Sequence, residues 1–416
     1  MWAYHGPNRT SGFAFCPLIG DVMSKRPLTV MSLAYLLVLC TGFGTGGLWP
    51  VYLNQLGADP MQVGIMNAVS GPANLAGTLL AGWFADRFRR RRETFICACS
   101  LFAVTWVLMS RATTWQQLTA LNLLAGFSFG MATNMIVIMT GLLAAVSRRG
   151  GSFGLLTLVS SLSLVVTGLT WGRIADRWGF PALLLVDALL CGASIILALF
   201  FVEPPLARAA AAGRTARRPE DGLGAGYYTL LVAAVLVSVA SYGGGFGRSV
   251  AMSELGFSAT AVGLAAAVGG AISLPVPFLL GRLSDRIGRK RLLMSSCGVG
   301  LVALPAMGFA STAWGFWGAS VLLGIMATWQ PLLQALATDM LPRGLVGRGL
   351  GLLGGVHSLA IVLSSLAVGA AFQGLGIRPT FWLLALALPV AIALVARVRE
   401  NASVTEIGLE LEIPAG

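Results

Sequence analysis

The sequence predicts an all-α membrane protein: twelve transmembrane helices in two pseudo-symmetric six-helix bundles. Three observations predict it. The first is composition. Of 416 residues, 56% are hydrophobic and 11% charged, whereas a soluble domain carries roughly a quarter charged residues. So few charges cannot cover a water-facing surface. The second is a series of twelve long, nearly charge-free runs, each able to cross a hydrocarbon core of about 30 Å as a helix. The third is an internal repeat at a fixed offset of 199 residues. Under that shift Gly44, Gly46, Leu56, Gly57, Val63, Gly64, Gly71, Gly82, Asp86, Arg87, Arg90 and Arg92 fall on Gly243, Gly245, Leu255, Gly256, Val262, Gly263, Gly270, Gly281, Asp285, Arg286, Arg289 and Arg291, with no gap. A repeat of that kind must be recognised before any fold is assigned.

Residues 1–27 form an N-terminal extension expected on the cytoplasmic side, and Met23-Ser-Lys-Arg-Pro27 reads as an alternative natural start. No charged-then-apolar segment with a small-residue cleavage site precedes residue 27, so a signal peptide is not expected. The first bundle spans 28–202 with runs at 28–53, 61–85, 94–111, 116–146, 152–174 and 180–202. Run 1 carries Gly42, Gly44, Gly46 and Gly47 at mid-depth. Run 2 carries Asn67 and Asn74, and run 4 Asn122 and Asn134. Run 5 closes on Gly172-Arg-Ile-Ala-Asp176-Arg-Trp-Gly179. Run 6 holds Asp187 in its outer half. A linker, 203–226, contains Pro204, Pro205 and four arginines, a composition suited to a surface segment.

The second bundle spans 227–397 with runs at 227–251, 260–282, 292–313, 314–341, 348–373 and 379–397. Run 7 repeats the glycine cluster as Gly243, Gly244, Gly245 and Gly247, flanked by Tyr242 and Arg248. Run 10 carries Trp329, Gln330 and Gln334. Asp339-Met-Leu-Pro342 with Arg348-Gly349 joins runs 10 and 11, and His357 stands near the middle of run 11. Residues 398–416 form a polar tail. The two glycine clusters allow either close helix packing or bending of spans 1 and 7 at a central cavity.

Orientation follows from the basic residues. If both termini face the cytoplasm, 23 lysines and arginines lie on that side and 5 on the other, the bias that insertion selects. The net charge of +12 arises from these short clusters between apolar runs, so nucleic acid is not an expected partner. Six cysteines are scattered; Cys97 and Cys99 have no second pair or histidine nearby and read as packing residues.

Two loops stand out: Gly82-Trp-Phe-Ala-Asp86-Arg87-Phe-Arg89-Arg90-Arg91-Arg92 after run 2, and Gly281-Arg-Leu-Ser-Asp285-Arg286-Ile-Gly288-Arg289-Lys290-Arg291 after run 8. Twelve spans in a six-plus-six repeat with Gly-x-x-x-Asp-Arg-x-Gly-Arg-(Arg/Lys)-(Arg/Lys) at both places resembles the major facilitator superfamily. The resemblance covers residues 28–397. The second copy matches throughout, and the first has Arg89 where the pattern has glycine. Two patterns of drug–proton antiporters in that family are not matched. Asn122 stands where their fourth span has arginine, and residues 154–172 contain no proline.

The resemblance implies alternating access between two packings of the halves around a central site. Gly82, Asp86, Arg87, Arg90, Gly281, Asp285, Arg286, Gly288, Arg289 and Asp339 are then expected to form a conformational latch. Asp86 should meet the start of span 11 around Gly349–Gly351, and Asp285 the start of span 5 around Ser152–Gly154, each carboxylate against a positive helix end. The arginines pair with those carboxylates, anchor to anionic headgroups, or only set topology.

Ionisable and amide groups inside spans are costly in lipid and become candidates for substrate or coupling roles. They are Asn122, Asn134, Asp187, Tyr242, Arg248, Trp329, Gln330, Gln334 and His357. Asp187 and His357 could carry a proton, and His357 reads equally as a histidine bonded between helices. Arg248 could hold an anionic group or sit at the interface beside Glu254. Neither a nucleophile–base pair, a metal cluster nor a nucleotide loop is present, so no enzyme and no cofactor is expected. The expected function is a secondary active transporter of a small organic solute in the inner membrane, a monomer among lipids driven by a gradient such as that of protons. Export of hydrophobic or amphipathic compounds comes first, and uptake or exchange of a sugar or organic anion second. A receptor built on the same fold would need a larger cytoplasmic domain than this linker provides.

Overall fold

The computed structural model describes residues 26–88, 90–143, 149–201, 224–276, 287–341 and 345–398, with Leu279 and Leu283. The extension, most of the linker, the tail, Arg89, Gly281, Asp285 and Arg286 lie outside the described residues, as do the side chains of Asp86, Ser152 and Arg348. Every regular element among the described residues is helical. Twelve spans follow in order.

Span 1 is Arg26–Leu39, a π-turn at Cys40–Gly44, and Trp49–Gln55. Spans 2, 3 and 4 are Pro60–Arg87, Arg91–Met109 and Trp115–Leu143. Spans 5 and 6 are two limbs of Arg149–Ala198, which breaks at Gly179 (φ 81°). Span 7 is Ala225–Glu254, span 8 is described over Ala259–Ser273, and span 9 is Arg289–Phe309. Span 10 is Ala313–Met326 continued by Trp329–Met340, and spans 11 and 12 are Val346–Leu375 and Ile377–Arg397. Eight of these helices are long and apolar enough to cross a membrane on length and composition alone, or nine with the bent span 1. Spans 5 and 6 count there as one. Span 2 is diluted by Gln62, Asn67, Ser70, Asn74 and Thr78, and span 8 is described over 15 residues. Apolar side chains on the bundle's outside stand open, among them Leu189 at 73% and Leu386 at 62% exposed, as lipid-facing surfaces do.

An even number of spans brings the start of span 1 and the end of span 12 to one face, the terminal face. The opposite one is the far face. Local sequence sets the turns there. Span 2 begins with Asp59 accepting from the Gln62 amide at 2.8 Å while the Gln62 side chain accepts from Asp59 N at 3.1 Å, a capping box. Pro60 occupies the first helical position, where a missing N–H costs nothing.

The repeat is visible in the backbone itself. Span 1 ends with Leu56, Gly57 and Ala58 donating to Tyr52, Asn54 and Leu53. Span 7 ends with Leu255, Gly256 and Phe257 donating to Ala251, Ser253 and Met252. Each bond has its mate 199 residues on. Gly57 and Gly256 take φ of 76° and 77°, which glycine alone adopts freely. Asn54 and Ser253, themselves repeat mates, touch: the Asn54 amide donates to the Ser253 carbonyl and hydroxyl, both at 3.2 Å. The pseudo-twofold axis therefore passes between them.

Candidate functional site

Spans 1 and 7 share a glycine cluster but not a shape. Span 1 bends by 44° at its middle, whereas span 7 runs unbroken. Of the two roles open to the glycine clusters, bending and close packing, span 7 shows no bend. Pro50 explains the difference: its missing N–H and its ring disrupt the preceding turn. Its repeat mate is Ser249, which keeps the donor. The glycines of both spans admit neighbours, Gly42 facing Phe129 and Gly44 facing Thr167 in span 1, Gly243 facing Leu384 and Gly244 facing Leu304 in span 7.

The break in span 1 presents Thr45 to Asp187. The Thr45 hydroxyl donates to one carboxylate oxygen, and Trp171 Nε1 donates to the other at 3.0 Å. Asp187 and Thr45 are both 0% exposed. A carboxylate on span 6 thus joins the bend of span 1 to span 5. Charge inside an apolar bundle is tolerated only where such donors meet it.

In the second half, Tyr242 of span 7 hydrogen-bonds through its hydroxyl to Nε2 of His357 on span 11. Their rings meet edge to face at 4.7 Å. Trp329, at the break of span 10, lies 6.3 Å from the imidazole. Tyr242 and His357 are half-buried and Trp329 is buried. These three of the expected residues come together. Gln330 is half-buried and Gln334 exposed further along span 10. Arg248 is 8% exposed and donates to the Ala265 carbonyl at 3.2 Å and the Ser320 hydroxyl at 3.1 Å. Its Nε has no partner among the described residues, and the ion pairs there, Arg90–Glu93 and Arg289–Asp339, do not include it.

Asn122 and Asn134 serve a different purpose. Their amides donate to the carbonyls of Met66 and Thr78 at 2.8 and 2.9 Å. Between them, Gly126 and Gly130 abut the carbonyls of Ser70 and Asn74. All four pairs are 56 residues apart, so span 4 lies parallel to span 2 in one register for roughly 18 Å, at 1.5 Å per residue. Each asparagine donates one amide hydrogen bond to this ladder. Small or amide residues at every fourth position were the signal for it.

Besides the contact of spans 1 and 7 at Asn54 and Ser253, the halves meet along two seams. In one, Gly64 and Gly71 of span 2 lie against Ser365 and Ser358 of span 11, and Asn67 donates to Ser365 Oγ at 2.7 Å. In the other, Gly168 and Gly172 of span 5 lie against Gly263 and Ala259 of span 8, and Gly270 against Leu164. These contacts run from the far face to mid-depth. On the terminal half, a Cβ at Gly82, Gly154, Gly351, Gly354 or Gly355 would meet nothing within 4 Å. Among the described residues no three His, Cys, Asp or Glu side chains are grouped to hold a metal.

Matched against known families, residues 31–247 and 229–411 fit the description Major Facilitator Superfamily. The chain belongs to the major facilitator superfamily. It is a membrane transporter, not an enzyme. Relatives include "Multidrug resistance protein MdtG" of Escherichia coli (strain 55989 / EAEC), 37% identical over 116 residues, 27% of this chain and 28% of that protein. The protein of the same name from Yersinia enterocolitica is 37% identical over 119 residues, 28% of each chain. The chain thus aligns with little more than a quarter of those relatives' length. Among solved structures, the nucleoside transporter NupG superposes with a TM-score of 0.74 at 12% identity, over 89% of this chain and 100% of that one. A D-xylose–proton symporter gives 0.71 at 16%, over 92% and 98%. At such identities the likeness is one of fold.

The superfamily's loop motif looks as follows here. Gly82 is half-buried, and Arg87 is exposed. Arg90, also exposed, pairs with Glu93 at 3.2 Å. Gly288 takes φ 97° and starts span 9. Arg289 pairs with Asp339 at 2.5 Å and donates to the Ala335 carbonyl at 3.3 Å. That pair ties span 9 to span 10 within one half and does not cross between halves. Asp176 lay outside the expected site set. Its carboxylate accepts from the amides of Ala259 and Thr260 at 3.0 and 2.8 Å, across the second seam. Its signal was a third Gly-x-x-x-Asp-Arg string at the end of span 5.

Proposed function

We propose that this transporter works by rocker-switch alternating access and exports hydrophobic or amphipathic compounds. The observation that carries the reading is the placing of the seams. Among the described residues the halves touch from the far face to mid-depth, and on the terminal half Gly82, Gly154, Gly351, Gly354 and Gly355 have open space beside them. That is one of the two packings alternating access requires. The bias of 23 basic residues to 5 puts the terminal face, and both chain ends, in the cytoplasm. The conformer is then open to the inside. Bundles 28–202 and 227–397 move against each other about the seams, joined by 203–226.

The cargo wall we favour is Tyr242, Trp329 and His357. It offers ring faces and edges and one imidazole, which suits an amphipathic compound better than a strongly charged one. The partial similarity to multidrug resistance proteins supports export. Asp187, linked to the bend of span 1, is our choice for the coupling proton. The test is accumulation of cationic or neutral dyes in inverted vesicles under an imposed pH gradient. Uptake that collapses with the gradient is expected. Dyes left outside at every gradient would sink the export reading.

One observation favours a second reading. Arg248 is a buried cation with no carboxylate paired to it among the described residues. A carrier that takes up or exchanges an organic anion could use it. Gradient-dependent movement of organic anions, lost in Arg248→Gln, would establish that reading.

A further inference from the structure

We infer that Asp176 is a positioning residue for the transport cycle: it latches the far face shut by holding the first turn of span 8 across the seam between the halves. The inference rests on the alternating-access reading. Its observation is that the first amides of span 8 meet two acceptors of different origin. The first four amides of a helix have no partner within it. Here Ala259 and Thr260 donate to the two oxygens of Asp176 at 3.0 and 2.8 Å. Ala261 donates to the side chain of Ser258 at 3.3 Å, and Val262 to its carbonyl at 3.2 Å. Val262 thus makes the first bond of the helix itself, and of the three amides before it two are served by the other half of the protein. A carboxylate on two backbone amides at a positive helix end makes charge-assisted bonds, the strong kind.

Span 5 is built to deliver that carboxylate. Gly172 stands one turn before it, where a side chain would strike the backbone of Ala259 and Thr260. Gly179, at φ 81°, ends the helix just beyond. The string Gly172-x-x-Ala175-Asp176-Arg177 repeats Gly82-x-x-Ala85-Asp86-Arg87 at a distance of 90 residues, on the opposite face.

The matching crossing of spans 11 and 2 has no such latch, and the sequence says why. The mates of Ala259 and Thr260 are Pro60 and Met61; spans 5 and 11 pair at an offset of 197, as Gly172 against Ala259 and Gly369 against Pro60 show, so the mate of Asp176 is the uncharged Gln373. Pro60 has no N–H to give, and Asp59 caps span 2 from its own chain segment. The far face is therefore pinned by a carboxylate on one seam alone.

The test uses the full-length protein in nanodiscs, with Cys16 and Cys97 changed to serine. One spin-labelled pair, Trp178→Cys with Leu255→Cys, reports the far face. A second pair, Phe88→Cys with Ser295→Cys, reports the terminal face. Asp176→Asn should raise the population of long far-face distances roughly tenfold, the effect of one hydrogen bond to a charged group, and shorten the terminal-face distances. Ala259→Pro removes one amide without touching Asp176 and reproduces the proline of the other half. It should shift both distributions the same way, by less. Unchanged distributions in both variants, in a protein that otherwise samples two distances at each face, overturn the latch. A single unvarying distance at each face, in native protein and variants alike, overturns alternating access itself and the latch with it.

Discussion

At the scale of single residues, the buried polar groups fall into two kinds: those that hold helices and those left with chemistry to do. Asp187 combines both. Its two donors, Thr45 and Trp171, belong to different spans. Removing one leaves a buried acceptor short, which costs about 1–3 kcal/mol. Trp171→Phe should therefore lower the unfolding free energy by that amount in detergent, read by thermal unfolding. An unaltered midpoint would mean that the indole is not a working donor. Asp187→Asn is expected to abolish gradient-driven accumulation while leaving substrate exchange intact; accumulation at the native level would exclude it as the coupling group. Tyr242→Phe strips His357 of its hydroxyl partner and should slow dye transport by roughly five- to tenfold, the weight of one hydrogen bond. Native rates would take the cluster out of the cargo path. Asp187 and His357 were legible in the sequence as ionisable groups within apolar runs. Their partners were not, because Thr45 and Tyr242 lie 142 and 115 residues away, and only packing decides which distant side chains meet.

At the scale of helices, two elements with the same glycine spacing take different shapes because one residue differs. Pro50 breaks span 1, and Ser249 leaves span 7 whole. Pro50→Ser should straighten span 1 and draw Thr45 from Asp187, seen as slower amide exchange across residues 46–49. Exchange as fast as in the native protein would shift the cause to the glycines. The ladder between spans 2 and 4 is the opposite case, a stretch with no freedom. A leucine at Gly126 or Gly130 must displace a backbone carbonyl, and overpacking of that kind costs about 1–3 kcal/mol. We expect such variants to unfold at lower temperature, with the two sites alike. The sequence displayed this ladder as Asn122, Gly126, Gly130 and Asn134, one every fourth residue. That each asparagine amide meets a carbonyl of span 2 was not legible, because the parallel neighbour 56 residues away is fixed only by packing. The bend of span 1 was partly legible, since glycine permits a bend but does not compel one.

At the scale of the whole molecule, the repeat was fully legible. The offset of 199 residues recurs in the turn bonds after spans 1 and 7 and in the touching pair Asn54 and Ser253. The apolar runs likewise anticipated the twelve spans, with ends shifted by a few residues where caps or breaks intervene. Which face is closed could not be read, because one sequence must encode both packings. Orientation is open to direct test. Cysteines at Arg111 and Arg378 should react with an impermeant reagent added outside intact cells, and one at Ser295 should react only after the membrane is breached. The reverse pattern would invert the assignment of the faces.

The seams have one more consequence. They are lined mainly by glycine, alanine and serine, with backbone carbonyls close beneath. Parting two leucine-rich surfaces would expose oily area to water, at about 25 cal/mol for each Å². Parting these exposes main-chain groups and hydroxyls that water wets readily. The resistance to opening is then set by a few discrete bonds, each removable by a single substitution, rather than by a broad adhesive surface. A carrier built this way can have its balance between two states adjusted one residue at a time, without loosening the interior of either half.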